Sequence, residues 1–462
     1  MKIGLEVHVQ LLTKTKLFCG CLNQAGAEPN TLTCETCIGL PGSKPRLNAK
    51  AVEYGMKIAL ALSCRLPKST YFSRKSYFYP DMSKNFQITQ YEVPLAKNGF
   101  MKTNAGKGRK IRIERINLEE DPARIVHAGT ITTADYMLVD YNRSGVPLCE
   151  IVTAPDFSSS KEARIFLQEL STTLQYLKVF DPDIEGSMRV DANISLGQTG
   201  SRVEIKNITG FKDVEKALNY EAVRQRTLLR QKKKIARETR SWDAATGTTK
   251  ALRAKEEEED YGYIFEPDLV RITLAAEKLR KIKASLPEFS HQRIKRYAGM
   301  GIEKELAVAI ASEPDIAVMF EEAVKYTDAK LAARWFAGEI KKTLNYSNLR
   351  IGKIGLEPGY IIKLLQMVER KKLTERSAEL ILREILLHPA DPEKLAAKAT
   401  RIYDEKLLED VVRQAMAENV MAVVEYNAGK NEAFHFLVGQ AMRKTQGRGD
   451  PETIRKLLKK LL

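Results

Sequence analysis

A chain of 462 residues with 44% hydrophobic and 29% charged side chains can bury substantial cores, which excludes wholesale disorder and suggests about two to four domains. The 75 basic against 59 acidic residues leave a formal charge of +16, which fits either a polyanionic partner such as nucleic acid or the lysine-rich surface of a heat-adapted enzyme. No run approaches the roughly 18 apolar residues that span a bilayer. Glu6 and His8 precede any apolar leader, so no signal peptide is expected and the chain reads as cytoplasmic.

The opening segment Ile3-Gly-Leu-Glu-Val-His-Val-Gln-Leu11 alternates with period two. In a strand, Leu5, Val7 and Val9 then face one way and Glu6, His8 and Gln10 the other. Two close thiol pairs follow, Cys19-Gly-Cys21 and Cys34-Glu-Thr-Cys37. Thiolates at these spacings close a tetrahedron and leave no open position, which points to a structural zinc site inserted at 19–37. Cys64 and Cys149 stand singly in apolar surroundings and read as small core residues.

A helix is predicted over Ala49–Leu62. The segment Tyr71–Pro80, continuing through Asp81–Tyr91, interleaves aromatics with Arg74, Lys75 and Lys84. Such a segment either stacks a base and holds phosphates or forms a tyrosine-rich core loop with snorkelling lysines. The alternating run Ile111–Ile116 leads into Leu118-Glu-Glu-Asp121. After a helix over Lys161–Tyr176, Met188–Leu196 puts Arg189, Asp191 and Asn193 opposite its apolar positions. Arg202–Asn207 does the same with Arg202, Glu204 and Lys206.

If these acidic strands converge, their crowded carboxylates call for a hard divalent cation and an anionic substrate. Oxygen donors with one histidine suit Mg²⁺ or Mn²⁺ better than zinc. The other reading is a set of unrelated solvent-facing positions. A helix is predicted over Val214–Arg237, and the charge runs Lys232–Lys234 and Glu256–Asp260 read as solvated faces. No Walker-type phosphate loop occurs in the chain.

After Leu286-Pro-Glu288 the apolar spacing becomes three and four residues, so the remainder should be helical. The expected class is α+β. A large, mostly antiparallel sheet domain (1–286) precedes an all-helical middle domain (287–392) and a small helical tail (393–462), divided at His388–Pro392. The last helix has Asp450 as N-cap, Pro451 at its first position and an apolar stripe of Ile454, Leu457, Leu458, Leu461 and Leu462. Arg455, Lys456, Lys459 and Lys460 lie away from the stripe and read by themselves as the solvated basic face of a packed helix; together with Arg443, Lys444 and Arg448 beside it, the alternative is a phosphate-backbone footprint.

The motifs IGLEVHVQL, FCGC with TCETCIGLPG, RKSYFYPDMSKNFQITQY, INLEED, VDYNRSGVPLCEIVTAPD, GSMRVDANIS, EIKNITGF, EDYGYIFEPDLV and FLVGQAMRKTQGRGDP run along the whole chain in this order. In them the chain closely resembles the GatB/GatE family of tRNA-dependent amidotransferase subunits. It resembles the B type more than the E type, because its length leaves no room for the inserted domain of the latter. The resemblance implies a ligase component with a cradle-like catalytic domain. Such a component phosphorylates the side-chain carboxylate of Asp-tRNA(Asn) or Glu-tRNA(Gln) with ATP and Mg²⁺, and amidates it with ammonia from an A-type glutaminase partner. A small C-type partner completes the heterotrimer, and the tail binds tRNA.

Carried over by motif position, the resemblance assigns catalysis to Glu6, His8, Glu120, Asp191 and Glu204. Mg²⁺ falls to Glu6, His8 and Glu120, with Glu119 and Glu150 as neighbours, and phosphate or acyl-tRNA contacts to Arg74, Lys75, Tyr79, Lys84 and Lys206. The segment Glu259–Pro267 supplies a wall or lid. Where many relatives follow the paired glutamates with Asp-Ala-Gly-Lys, this chain has Asp121-Pro-Ala-Arg124, so the role of that lysine does not transfer to Arg124. Many relatives also lack the four cysteines, so zinc is not required by the reaction. The rival readings are an E-type amidotransferase component and a non-catalytic, zinc-containing tRNA-binding protein.

Overall fold

The period-two run that opens the chain becomes strand β1 (Lys2–Gln10) of an eight-stranded sheet in the computed structural model, which describes residues 1–104, 108–127, 136–196, 201–254, 261–397, 405–445 and 447–462. The other strands are β2 (Ala96–Lys102), β3 (Lys110–Glu120), β4 (Pro147–Thr153), β5 (Met188–Ser195), β6 (Val203–Ile208), β7 (Glu238–Asp243) and β8 (Thr248–Ala254). Their order is β8-β7-β6-β5-β1-β4-β3-β2, so β1 lies inside the sheet between β5 and β4. Every neighbouring pair is antiparallel except β6 and β7, which run parallel. A parallel pair needs a crossover, and the helix Phe211–Arg230 supplies it.

Alternation makes the sheet two-faced. Ile3, Leu5, Val7 and Val9 of β1 are all at most 1% exposed, and Val190, Ala192 and Ile194 of β5 continue their apolar face. The helices Ser160–Tyr176 and Phe211–Arg230 pack on each other and on this sheet, the first against β1 and the second against β5. Ala49–Ala61 packs on β3, with Gly55 so close to Leu95 and Leu118 that an added Cβ would lie 2.5 Å from the Leu95 side chain. The opposite face carries the polar residues of the same strands. Cys64 and Cys149 are buried among apolar neighbours, as the sequence predicts.

The crossover helix ends earlier than its apolar pattern suggests, at Arg230 instead of Arg237. Lys232 takes a left-handed φ of 56°, and Lys232–Lys234 are exposed. A residue in the left-handed region cannot continue a right-handed helix, and the chain turns back here to enter β7. The Glu256–Asp260 charge run lies outside the described residues.

Contacts divide the chain into two compact units, Met1–Glu288 and Phe289–Leu462. In the second unit, helices follow one another from Ser290–Gly299 to Pro451–Leu461. Tyr297, Phe320 and Phe336 stack edge to face in one core, with ring centroids 5.0 and 5.7 Å apart. A second cluster joins Leu408, Val412, Leu437, Ala441, Ile454 and Leu458 from the helices Glu405–Glu418, Asn431–Lys444 and Pro451–Leu461.

Asp450 caps the last helix through the Thr453 N–H at 2.8 Å, with Pro451 beside it. Thr374 Oγ1 donates to the Gly447 carbonyl at 2.7 Å and ties the tail cluster to the helix Glu375–Leu387. Of the 436–442 segment only Leu437, Val438 and Ala441 are buried, and Phe436 is 48% exposed. Leu437→Ala should destabilise the helical unit by about 2–5 kcal/mol in urea unfolding followed by circular dichroism. A loss under about 1 kcal/mol would contradict the cluster's role.

Candidate active site

The polar face of the sheet gathers its functional residues by register. Glu6 lies opposite Asp191, and His8 lies opposite Arg189 on one side and Glu150 on the other. Glu150 is in turn opposite Asn117, and Asn193 is opposite Glu204. Five carboxylates from five strands, Glu6, Glu119, Glu150, Asp191 and Glu204, thus share one surface.

Neutral donors brace them. Asn193 Nδ2 donates to Glu6 at 3.2 Å, Asn117 Nδ2 to Glu150 at 2.7 Å, Thr89 Oγ1 to Glu119 at 3.2 Å and Thr239 Oγ1 to Glu204 at 3.0 Å.

Cations balance part of this charge. His8 Nε2 lies 3.2 Å from Glu119, and Lys206 Nζ lies 3.3 Å from Asp191. Burial alone would lower the His8 pKa, but the hydrogen bond to Glu119 and the charges of Glu119, Glu150 and Asp191 raise it to about 9. Glu119 is held below the usual carboxylate range: burial opposes ionisation, and the His8 hydrogen bond and charge overcome it. Glu150 goes the other way, raised by burial and then by the Glu119 charge. Burial would lower Lys206, yet Asp191, Glu204 and Glu6 raise it.

A cavity of about 950 Å³ opens over this face. Glu6, Glu119, Glu150, Glu204 and Lys206 form its floor, and Lys75 reaches it from the strand Ser73–Ser76. That strand pairs with Gly262–Phe265 and Phe86–Thr89 in a separate three-stranded sheet. The wall is aromatic. Tyr91 and Tyr263 stack with centroids 3.8 Å apart at 11°, and Lys75 Nζ sits 4.2 Å from the centre of the Tyr261 ring. Tyr261 and Tyr263 belong to the segment expected to wall the pocket; Glu259 and Asp260 lie outside the described residues.

Three expected contacts fall elsewhere. Arg74 alternates away from Lys75 and forms a two-pronged ion pair with Glu266, at 2.7 and 2.8 Å, beneath which Phe86 packs. Glu266 is fully buried, so the guanidinium is held as its counter-ion. Tyr79 is 54% exposed and does not line the cavity. Lys84 pairs with Glu120, which also accepts from the Ile88 N–H at 2.8 Å.

Glu120 therefore points away from His8, and Glu119 occupies the place expected for it. The reason is parity. Register shifts between Ile113 and Arg115, so the inward series Ile111, Ile113 continues as Ile116, Leu118 and then Glu120. Asn117 and Glu119 are out of phase with that series and face the cavity.

Sequence reasoning gave no role to Asn117 and foresaw neither the Asn193–Glu6 contact nor the meeting of Tyr91 with Tyr263, although Asn193 and both tyrosines lie in segments it singled out. Alternation alone marks the face of Asn193; the others depend on pairing that is not local. The four cysteines do come together, with sulfur atoms within 4.8 Å of one another. Among the described residues this is the one group of at least three His, Cys, Asp or Glu at such spacing. In it the Cys19 hydrogen bond draws the Cys37 thiol down to about 5, while that bond and burial push Cys19 up; burial raises Cys21 to about 11.

A family model for the GatB/GatE catalytic domain matches residues 1–280, and one for the GatB domain matches residues 318–462. Similar chains include proteins of Carboxydothermus hydrogenoformans, 42% identical over 99% of this chain and 97% of the relative, and Methanospirillum hungatei, 45% identical over 100% and 98%. A protein of Thermotoga maritima is 41% identical over 100% of this chain and 98% of its own length. All three are described as the B subunit of aspartyl/glutamyl-tRNA(Asn/Gln) amidotransferase.

Arg74→Met should cost about 3–5 kcal/mol in urea unfolding, because it strands the buried Glu266 charge. Arg74→Met combined with Glu266→Gln should recover most of that loss. Unchanged stability in the single variant would point instead to a ligand contact.

Proposed function

The chain belongs to the GatB/GatE family as a B-type component of a tRNA-dependent amidotransferase, and from that premise we propose that the 950 Å³ cavity is its catalytic pocket. There the side-chain carboxylate of Asp on tRNA(Asn), or Glu on tRNA(Gln), is phosphorylated by ATP and then amidated by ammonia from an A-type glutaminase partner. A small C-type partner completes the assembly, which we place in the cytoplasm. The observation that carries this reading is the convergence of Glu6, His8, Glu119, Glu150, Asp191, Glu204 and Lys206 on one sheet face, with Lys75 reaching the cavity from the neighbouring three-stranded sheet.

Phosphoryl transfer needs charge neutralisation and in-line positioning more than covalent help. Lys75 and Lys206 sit where they can receive the transferred phosphoryl oxygens, and the Tyr91–Tyr263 stack offers a face to a base. An acyl phosphate hydrolyses in water, so the aromatic wall also shields the carboxylate while ammonia arrives.

The donor set fits a hard divalent cation. Among the described residues, Asn117 Oδ1 and Asn193 Oδ1 are buried without a hydrogen-bond partner beside Glu150 and Glu6, and the floor offers mostly oxygen ligands. Glu6, Glu119 and Glu150, with His8 once it gives up the proton it shares with Glu119, would have to draw together to hold Mg²⁺, because among the described residues only the cysteines already lie within ligating distance of one another. The ion would supply neutralisation of the ATP phosphates when bound. Glu120 then acts with Lys84 outside the ligand set. The four cysteines suit zinc as a structural staple, since four sulfur ligands leave no reactive position.

We also propose that residues 393–462 form the tRNA-binding tail, distinct from a middle helical domain. Arg443, Lys444, Arg448 and the basic face of the last helix would meet the phosphate backbone. Truncation after about residue 395 should weaken tRNA binding and flatten its salt dependence in filter-binding titrations. Unchanged affinity would assign tRNA binding elsewhere.

The test of the pocket is ATP hydrolysis by the chain co-expressed with its A-type and C-type partners, with Mg²⁺ and with or without Asp-tRNA(Asn) or Glu-tRNA(Gln). Turnover should require one misacylated tRNA, and Glu119→Gln should lower it at least about 100-fold, the scale of losing a group that stabilises transition-state charge. Full activity in Glu119→Gln, or turnover indifferent to acylated tRNA, would overturn the assignment.

A further inference from the structure

The cysteine knuckle has a neighbour that its metal chemistry does not by itself require. Lys16 lies just ahead of Cys19 and Cys21, and its side chain is fully buried. Its backbone is fixed to the same loop, because Lys16 N–H donates to the Cys21 carbonyl at 2.9 Å and Leu17 N–H to the Gly145 carbonyl at 2.8 Å. Asn48 Nδ2 donates to the Lys16 carbonyl at 3.2 Å. The ammonium has little freedom. It reaches the Tyr141 carbonyl at 3.2 Å and Cys37 Sγ at 3.6 Å.

An ammonium taken out of water costs several kcal/mol unless an anion lies beside it. Among the described residues, no carboxylate forms an ion pair with Lys16, and the sulfur of Cys37 is the acceptor within reach that can carry a negative charge. A buried lysine in this place is matched by the net negative charge that a sulfur cluster carries around a divalent cation. Four thiolates around a divalent cation leave two net negative charges, and one adjoining ammonium halves that excess.

We infer that Lys16 is the built-in counter-charge of the cysteine cluster, a positioning residue whose buried ammonium, 3.6 Å from Cys37 Sγ, sets the affinity of the knuckle for its divalent metal. The inference rests on the reading that the four cysteines bind zinc. It assigns to a residue outside the ligand set the part that outer hydrogen-bond donors play around metal ligands.

The experiment uses the full chain. Zinc content of the purified protein, measured by mass spectrometry, tests the underlying reading first: well under one equivalent would reject zinc, and the Lys16 role with it. Competition with a graded chelator then compares wild type with Lys16→Met. The variant should bind zinc about 10–100-fold more weakly. Equal affinity within twofold, with wild type fully loaded, would overturn the Lys16 role and leave the zinc reading intact.

Should Lys16→Met not fold, the double-mutant cycle with Cys37→Ser decides the matter. A hydroxyl cannot pair with the ammonium as a thiolate does, so Lys16→Met should be better tolerated in the Cys37→Ser background than alone, read by soluble yield and thermal unfolding. An equal penalty in both backgrounds would show that Lys16 acts through packing and not through charge.

Discussion

Everything in the catalytic unit depends on the pinning of β1. Ile3, Leu5, Val7 and Val9 are driven out of water under the helical layer, and a pleated strand then has no choice but to send Glu6 and His8 to the other side. A one-residue slip would exchange the faces, burying the carboxylate and imidazole and exposing four apolar side chains. Each of those side chains contributes about 1.5–3 kcal/mol when buried, so the register is strongly fixed. Because β1 lies between β5 and β4, its register is also theirs, and the crowding of carboxylates around His8 follows from hydrophobic burial on the far face.

That crowding is what the pocket uses. Like charges at close range oppose one another's ionisation, and this chain resolves the conflict locally with His8 against Glu119 and Lys206 against Asp191. Glu150 remains the least satisfied of them, with Asn117 as its donor. A surface with more buried acceptors than donors is a poor way to stabilise a fold and a good way to attract a cation. The Arg74–Glu266 pair shows the opposite design, in which charge is matched inside the structure and serves shape.

Much of this was legible in the sequence, and the limits have physical causes. The α+β class, the alternating faces of β1, β5 and β6, the cysteine cluster and the cap of the last helix all rest on local periodicity or spacing, and all are present. The choice between Glu119 and Glu120 turned on a bulge in β3 that reverses parity between Ile113 and Ile116, although Leu118 already hinted at the phase. Arg74 and Lys75 are adjacent in sequence, yet one meets the cavity and the other a buried glutamate 192 positions away. No local pattern contains that partner. The Tyr91–Tyr263 stack likewise unites segments far apart in the chain, and the wall it forms could be anticipated only from the family resemblance.

The proposed pocket turns on His8 and the carboxylates around it forming a divalent-cation site. Mn²⁺ is a magnetic stand-in for Mg²⁺, and pulsed electron paramagnetic resonance of Mn²⁺ added to the full chain with ATP reads its ligands directly. The expected result is nitrogen coupling from a single imidazole, out of the five histidines in the chain, and its disappearance in His8→Gln. A bound Mn²⁺ without imidazole coupling, or one whose coupling survives His8→Gln, would place the cation elsewhere and remove the basis for the proposed pocket.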